Sequence, residues 1–499
     1  MAFAIYFLLL LLIILRGSRI TLFHDEIINR KNFTFFFILK VLAIPAFYFL
    51  FLKLYGGIEK FDAGKFFFDA KTIGNFAFQN FPEYVKTIFG LQDETEGGHF
   101  YKMIIEPTFN WENGAEKDFF YNDNRVVIRI HAIIHLIAFN SYFVHALWAC
   151  FFSYIGSVLI YKSLKNFFPG KEKLFFVLIC FFPSLWLYTG ALLKEPWCVF
   201  FFGSIIYTTK QLTERGFSIK RILAFAFLLL VSIMLKPYIL FFGLISFLLF
   251  YAIQTKVIAK WRIAVFTGAI LVLALTANLT VLQIKKISLY DVAVGRLLRF
   301  DDVAKGGIFL TDTQQLIRVD YDWNLLSKDS LSKNHFKLKK GTPYVYWEFS
   351  HKNDTLRNYF NTNTTSSYSL AYVIPKAGSN IQVKQNNAAY TLLNSLYYTM
   401  AYPLFVNAKG AVQYLASFEN LILLLSVLLI ISGCLSSSKE KFPTYFFLFL
   451  SLSIFMLIGF TTPNSGAILR YRAPMAIFLL AGALYFVDFF KIKQGKLRF

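Results

Sequence analysis

The chain has 499 residues, of which 57% are apolar and 19% aromatic, against only 16% charged. A soluble chain of this make-up would lack the polar surface to cover itself. Several runs of roughly 18 or more nearly uncharged residues point to a polytopic helical membrane protein. Lysine and arginine exceed aspartate and glutamate by 51 − 29 = 22, but the excess lies mostly in short loops between apolar runs. The positive-inside rule accounts for it there without a nucleic-acid partner.

The opening stretch MAFAIYFLLLLLIILR has no basic leader and no small-residue cleavage site, and reads as a retained span. A basic connector follows, then a second span over 33–54. The next segment, 55–125, is far longer than a simple connection and dense in aromatics, glycine and acids. Its ring content predicts packing against the membrane surface. It opens with GGIEKFDAGKFFFDA, where Asp62 and Asp69 stand seven apart and so share one face of any helix formed there.

Residues 126–139 are amphipathic and carry His131 and His135 at a spacing of four. The spacing suits a metal, but no third ligand stands nearby in sequence. Spans are predicted over 142–161, 174–188, 197–208, 222–235, 238–251 and 264–282, separated by basic loops and by the tips YTGALLKEPW and LKPY. Residues 283–397 are too polar for lipid, and the alternation in TPYVYWEF and SYSLAYVI predicts short strands in a small α+β insert. Further spans over 421–431, 445–460 and 475–490 lead to the basic tail KIKQGKLRF.

The chain thus divides into a transmembrane region over 1–282, an insert over 283–397 and a C-terminal transmembrane region over 398–499. About eleven spans with a cytoplasmic C-terminus leave every short basic connector inside. The loop 55–125, the tips GALLKEP and LKPY, the insert and the late loop GAILRYRAP all fall outside. The four cysteines, Cys150, Cys180, Cys198 and Cys434, lie in or at the ends of apolar runs at no ligand or disulfide spacing, and read as small buried hydrophobes.

On the outer face, Asp62, Asp69, Lys194, Glu195, Lys236, Arg470 and Arg472 interrupt the apolar pattern near membrane depth. A charge at the bilayer centre costs roughly 2.5–3.5 kcal/mol, so each needs a partner, a path to the headgroups or a function. Carboxylates beside lysines and arginines suit a ligand with a phosphate head and a lipid tail, because arginine forks grip phosphate and lysine supplies a point charge. Neither a dinucleotide nor a Walker-type phosphate loop is present, and no serine nucleophile elbow.

These elements resemble the GT-C superfamily, the integral-membrane glycosyltransferases that use polyprenyl-phosphate-linked sugars. The resemblance rests on GG…FDAGKFFFDA, on FFPSLWLYTGALLKEP and on NSGAILRYRAP just before the last span. It implies a bacterial inner-membrane enzyme, with Asp62 as general base and Asp69 as second candidate. Lys194, Lys236, Arg470 and Arg472 would hold the donor's phosphate, Glu195 would orient Lys194 or contact the acceptor, and a glycan, lipid or protein would be the acceptor. The chain carries Phe66 where many members have tyrosine, and it lacks a tight acidic pair. No metal ligands are assigned, although the resemblance leaves room for a divalent cation. The alternatives are a surface-polysaccharide polymerase or ligase, and a non-enzymatic flippase of lipid-linked glycans or a membrane assembly subunit.

Overall fold

A computed structural model describes residues 2–20, 24–25, 27–92, 98–111, 123–286, 288–291, 306–311, 316–328, 335–346, 360–361, 367–374, 388–408, 410–462 and 464–487. The basic tail lies outside the described residues, as do 93–97 and 112–122 of the first long loop.

Seven described segments are long and apolar enough to cross a membrane: Lys31–Tyr55, Tyr142–Phe167, Tyr238–Lys256, Ala259–Ile284, Val412–Ser436, Phe442–Thr461 and Ser465–Phe486. The protein is a helical membrane protein with a small antiparallel sheet. Its outer faces require lipid. On the helix Arg262–Lys285, for example, Leu271, Val272 and Leu275 are 63%, 64% and 60% exposed.

The remaining predicted spans are shorter or more polar. α1 (Ala2–Gly17) has 16 residues. The first long span divides into α2 (Arg30–Val41) and α3 (Ala43–Tyr55). The division falls where Pro45 has no N–H to offer the carbonyl four residues back. The predicted span 174–188 is likewise two pieces, α8 (Glu172–Phe181) and α9 (Pro183–Tyr188), with Pro183 opening the second.

The loop 55–125 folds instead of trailing. It forms α4 (Asp62–Phe76), α5 (Phe81–Phe89) and the start of α6 (Asn124–His135). Phe66, Phe67 and Ile73 of α4 are buried in the same core as Val127 and Ile128 of α6.

Two long helices form the spine. α7 (Tyr142–Leu164) and α10 (Lys194–Arg215) press together at Gly156 and Gly203. A Cβ at Gly203 would lie 2.2 Å from the Gly156 carbonyl oxygen, and one at Gly156 would lie 2.3 Å from that of Val199. Small residues at a crossing let backbones approach within lipid, where apolar burial alone gives helices no preference for one another. α11 (Ile219–Leu235) and α12 (Pro237–Lys256) make a hairpin packed on α10, and α13 is the lipid-facing helix Arg262–Lys285.

Beyond α13 the insert forms one seven-stranded antiparallel sheet, in the order β3-β4-β7-β1-β2-β5-β6. The strands are β1 (Gly307–Thr311), β2 (Leu316–Val319), β3 (Leu326–Lys328), β4 (His335–Leu338), β5 (Pro343–Tyr346), β6 (Phe360–Asn361) and β7 (Ser367–Ile374). β5 and β7 are the predicted alternating stretches. Ile308, Leu310, Ile317, Val319, Phe336 and Leu338 give the sheet a core of its own.

The chain returns through α14 (Ala388–Met400), α15 (Ala411–Ser436), α16 (Phe442–Thr461) and α17 (Ser465–Phe486). α17 is the most enclosed of the candidate spans. Its last carbonyls are capped by Lys171, whose Nζ donates to Leu484 at 2.6 Å and to Val487 at 2.5 Å.

Gly203→Val is expected to destabilise the protein by about 1–3 kcal/mol through overpacking at the α7–α10 crossing. The check is a lower thermal unfolding midpoint in detergent than for the same change at Gly268, where a Cβ meets nothing within 4 Å.

Candidate functional site

Four elements bring charge to one corner of the bundle. After α3 the chain makes a 3-10 turn over Ile58–Lys60 and starts α4 at Asp62. Gly64 allows this fold-back, because a Cβ there would lie 1.7 Å from the Ile58 carbonyl oxygen. A carboxylate in the first turn is also favoured by the helix dipole. Glu195 stands in the first turn of α10. Lys236 joins α11 to α12, and Pro237 after it disfavours a helical conformation at the junction. Arg470 lies in α17, whose start is capped by Asn464, accepting from Gly466 N at 2.9 Å.

Arg470 is the hub. Its Nη1 donates to Asp62 Oδ2 at 2.7 Å and its Nε to Glu195 Oε1 at 3.1 Å. Lys236 Nζ lies 3.9 Å from the same Glu195 oxygen and 3.5 Å above the centre of the Tyr471 ring. Glu195 is 1% exposed, and its second oxygen, Oε2, has no hydrogen-bond partner among the described residues. Asp62 opens to the surface, with half its side chain exposed. Desolvation opposes its ionisation, but the Arg470 guanidinium beside it, with Lys65 and Lys194 further off, more than compensates. Its carboxyl is held below the usual range.

Asp62 and Arg470 line a cleft of ≈ 110 Å³ walled by Phe47, Phe51, Tyr55, Phe61 and Tyr188, with the buried Glu195 and Lys236 behind Arg470. That is well below the roughly 300–1,000 Å³ of a pocket enclosing a small ligand. A larger ligand would lie along the cleft with only one group inside it.

The chain matches no protein-family model, no curated protein and no solved structure.

Three of the residues singled out by sequence have other partners. Lys194 Nζ binds Asp123 Oδ1 at 2.6 Å, not Glu195. Adjacent helix residues diverge by about 100°, so Lys194 and Glu195 cannot face the same group. Arg472 is two positions from Arg470 and turned about 200° from it. It points into the bundle, where Nη2 lies 3.6 Å from Glu419 Oε2 and Nη1 donates to the Thr399 carbonyl.

Asp69 shares a face with Asp62 but lies two turns deeper. It is fully buried, and its two oxygens accept from the backbone N–H groups of Phe109 at 2.7 Å and Asn110 at 2.8 Å. Burial raises its pKa to about 6 against the pull of those two bonds. It clamps the segment after the first loop's π-helical turn and does not reach the cleft cluster.

His131 and His135 do not converge on a metal position. They are joined through His145 of α7, which sequence reasoning passed over as one more residue of a span. Trp197 can only donate, so its Nε1–H fixes His131 Nε2 as acceptor at 3.2 Å. His131 Nδ1–H then donates to His145 Nδ1 at 3.3 Å, and His145 Nε2–H to His135 Nδ1 at 3.2 Å. His135 Nε2–H ends the chain on Asn75 Oδ1 at 3.0 Å. Every ring is neutral, each carries one proton, and the bonds run from α10 to α6, to α7, back to α6 and on to α4. His145 spends its two nitrogens in different directions, so no single ion can join all three rings. Among the described residues no group of three or more His, Cys, Asp or Glu is arranged to hold a metal.

Two outcomes follow from this geometry. Burial pushes His131 down to about 3, and burial with the Lys71 charge pushes His135 to about 4. Unfolded imidazoles take up protons near 6.5, so from there down to 3–4 the unfolded state binds more protons. Stability is therefore full above about pH 6.5 and falls by up to roughly 1.4 kcal/mol per histidine per pH unit below it. His131→Asn is expected to be less stable at pH 7.5 yet to lose less between pH 6.5 and 4.5, read from unfolding midpoints in detergent.

For the Arg472–Glu419 pair, 1% exposed on both sides, Arg472→Met or Glu419→Met alone is expected to cost about 3–5 kcal/mol. The double variant should cost clearly less than the sum. Additive losses in that cycle would show that the two charges do not interact.

Proposed function

We propose that this protein is a GT-C-like membrane glycosyltransferase. In this reading it transfers a sugar from a polyprenyl-phosphate donor to a glycan, lipid or protein acceptor on the outer face of a bacterial cytoplasmic membrane. It would have about eleven spans and a cytoplasmic C-terminus. The extra spans would be α1, the α8–α9 pair, α10 and α11. The observation that carries the reading is Arg470 shared between Asp62 and Glu195 at the mouth of an aromatic cleft.

A carboxylate bound this closely to a guanidinium is a weak base. A donor phosphate supplies the geometry that draws Arg470 away, since a guanidinium fork binds phosphate oxygens in pairs. Asp62 then loses its counter-ion and its proton affinity rises. It can take the proton of an acceptor hydroxyl while the hydroxyl oxygen bonds to the anomeric carbon. The bond from that carbon to the phosphate oxygen breaks, and polyprenyl phosphate leaves with its charge held by Arg470 and Lys236. In this reading a sugar hydroxyl that reaches past the displaced Arg470 donates to Glu195 Oε2, which no described residue bonds. The rings along the cleft offer stacking surface. A divalent cation fits this donor set poorly, because it would have to displace Arg470 from both carboxylates beside Lys236.

One observation favours a transport reading instead. Lys40 is fully buried within the span Lys31–Tyr55, where Nζ donates to Thr189 Oγ1 at 3.1 Å. Ionisable side chains at membrane depth mark pathways in many carriers. Lys40→Met should abolish translocation in a flippase and leave transfer by a glycosyltransferase largely intact.

The direct test is a membrane preparation supplied with a polyprenyl-phosphate sugar. Asp62→Asn is expected to lower the transfer rate by roughly 10²–10⁴-fold at normal protein levels. Arg470→Ala should raise the donor concentration needed for half-maximal rate. Transfer by Asp62→Asn at the parental rate would remove Asp62 from the reaction.

A further inference from the structure

A second cavity lies at the opposite ends of the two spine helices. From Lys194 to Arg215, α10 covers about 30 Å at 1.5 Å per residue, the thickness of a bilayer's hydrocarbon core. In the eleven-span reading this helix crosses the bilayer, and its ends reach opposite faces of the membrane. At the far end a cavity of ≈ 340 Å³ is framed by the last turns of α7 and α10 and by the connector after α1. It is about three times the volume of the outer cleft and lies within the range of ligand-enclosing pockets.

Its lining carries four cations, Lys162, Lys165, Lys210 and Arg215, against two carboxylates, Asp25 and Glu214. Lys165 is matched to Asp25 at 2.7 Å, and Lys210 stands 4.0 Å from Glu214. Lys162 spends Nζ on the His24 carbonyl at 3.2 Å. Neither it nor Arg215 has a carboxylate within ion-pair distance among the described residues. Two positive charges are in excess around one recess. Basic loops at a cytoplasmic face can spread their charge over open surface, where salt screens it. Here two separate stretches of chain, the ends of α7 and of α10, hold the cations around a common space, an arrangement that like-charge repulsion opposes until an anion enters.

We propose that this cavity is a phosphate-binding site on the face opposite the Asp62 cluster, for a ligand carrying a diphosphate or phosphomonoester group. Lys162 and Arg215 supply the uncompensated charge, and Arg215 offers a planar fork for two phosphate oxygens. Lys165 and Lys210 have their positions fixed by Asp25 and by the Ser163 carbonyl, at 3.0 Å from Lys210 Nζ. They line the wall as oriented secondary donors. Tyr207 and Gln211, on the same side of α10, add neutral hydrogen-bonding groups. The group can belong to a soluble phosphate compound or to a lipid headgroup, since the chemistry is shared. The site stands independently of the activity proposed for the outer face.

The test uses the full chain in phosphatidylcholine nanodiscs with inorganic pyrophosphate as probe, followed by calorimetry. Binding near one equivalent is expected, weakening at least tenfold from low to 0.5 M salt and at least tenfold in the Lys162→Gln/Arg215→Gln double variant. The Asp62→Asn variant should bind as the parent does. Nanodiscs doped with phosphatidic acid separate the sources, because competition with pyrophosphate assigns a lipid headgroup and undiminished binding assigns a soluble ligand. Acylation footprinting of the unaltered protein is independent of how the variants fold, and pyrophosphate or phosphatidic acid should protect Lys162 and Lys165 relative to Lys220. Absence of both binding and protection, or unchanged affinity in the double variant, would overturn the proposal.

Discussion

One guanidinium, that of Arg470, holds two carboxylates from two other helices at one corner of the bundle. Its position is not local to α17. It depends on α4 starting at Asp62, which depends on Gly64 accepting the turn before it, and on α10 presenting Glu195 in its first turn. α10 in turn is placed by its glycine-mediated crossing with α7. A bonded charge pair at a membrane boundary is sensitive to ångström-scale shifts of any of these parts, because the dielectric there leaves the Coulomb term strong.

The rigidity that such a site needs is supplied by neutral hydrogen bonds behind it. The run from Trp197 through three histidines to Asn75 links α10, α6, α7 and α4, the first and last of which carry Glu195 and Asp62. Its ends are a group that can only donate and an amide oxygen that accepts. Its direction is therefore fixed, and it has no terminus through which a proton would enter. It is a brace, not a conduit. A net charge on any ring would break one link and bury an uncompensated cation.

Much of this was legible in the sequence. Long apolar runs announced the membrane class, and Asp62, Glu195, Lys236 and Arg470 stood out because each interrupts an apolar pattern at a loop boundary. Their convergence was not legible, since the contacts join positions as far apart as 62 and 470. What misassigned Lys194, Arg472 and Asp69 to the same cluster was the use of proximity in sequence where helical phase and depth decide. The partners Glu419, Asp123 and His145 were passed over for a different reason. His145 lies inside the run read as the uniform span 142–161, and Glu419 lies in the helix leading into the span read over 421–431. Yet a lone acid in a long apolar helix is itself a signal that a buried cation waits elsewhere, and Arg472 was the candidate.

Helical phase also explains how two arginines two positions apart can serve different ends. Arg472 is enclosed, its charge balanced by Glu419 and its Nη1 bonded to the Thr399 carbonyl, so moving it would leave Glu419 without its counter-ion in the bundle. Arg470 sits at a mouth, with one of its carboxylate partners half exposed and the other left with an unused oxygen. When Arg470 re-pairs with an incoming anion, water can solvate Asp62 as the guanidinium turns, and Lys236 stays beside the buried Glu195. Re-pairing Arg472 costs more, because Glu419 would be left buried away from water with the Ser184 N–H as its remaining partner. Of the two, only Arg470 has the freedom that a ligand-responsive ion pair requires, and that freedom comes from its place on the helix and not from any difference in side-chain chemistry.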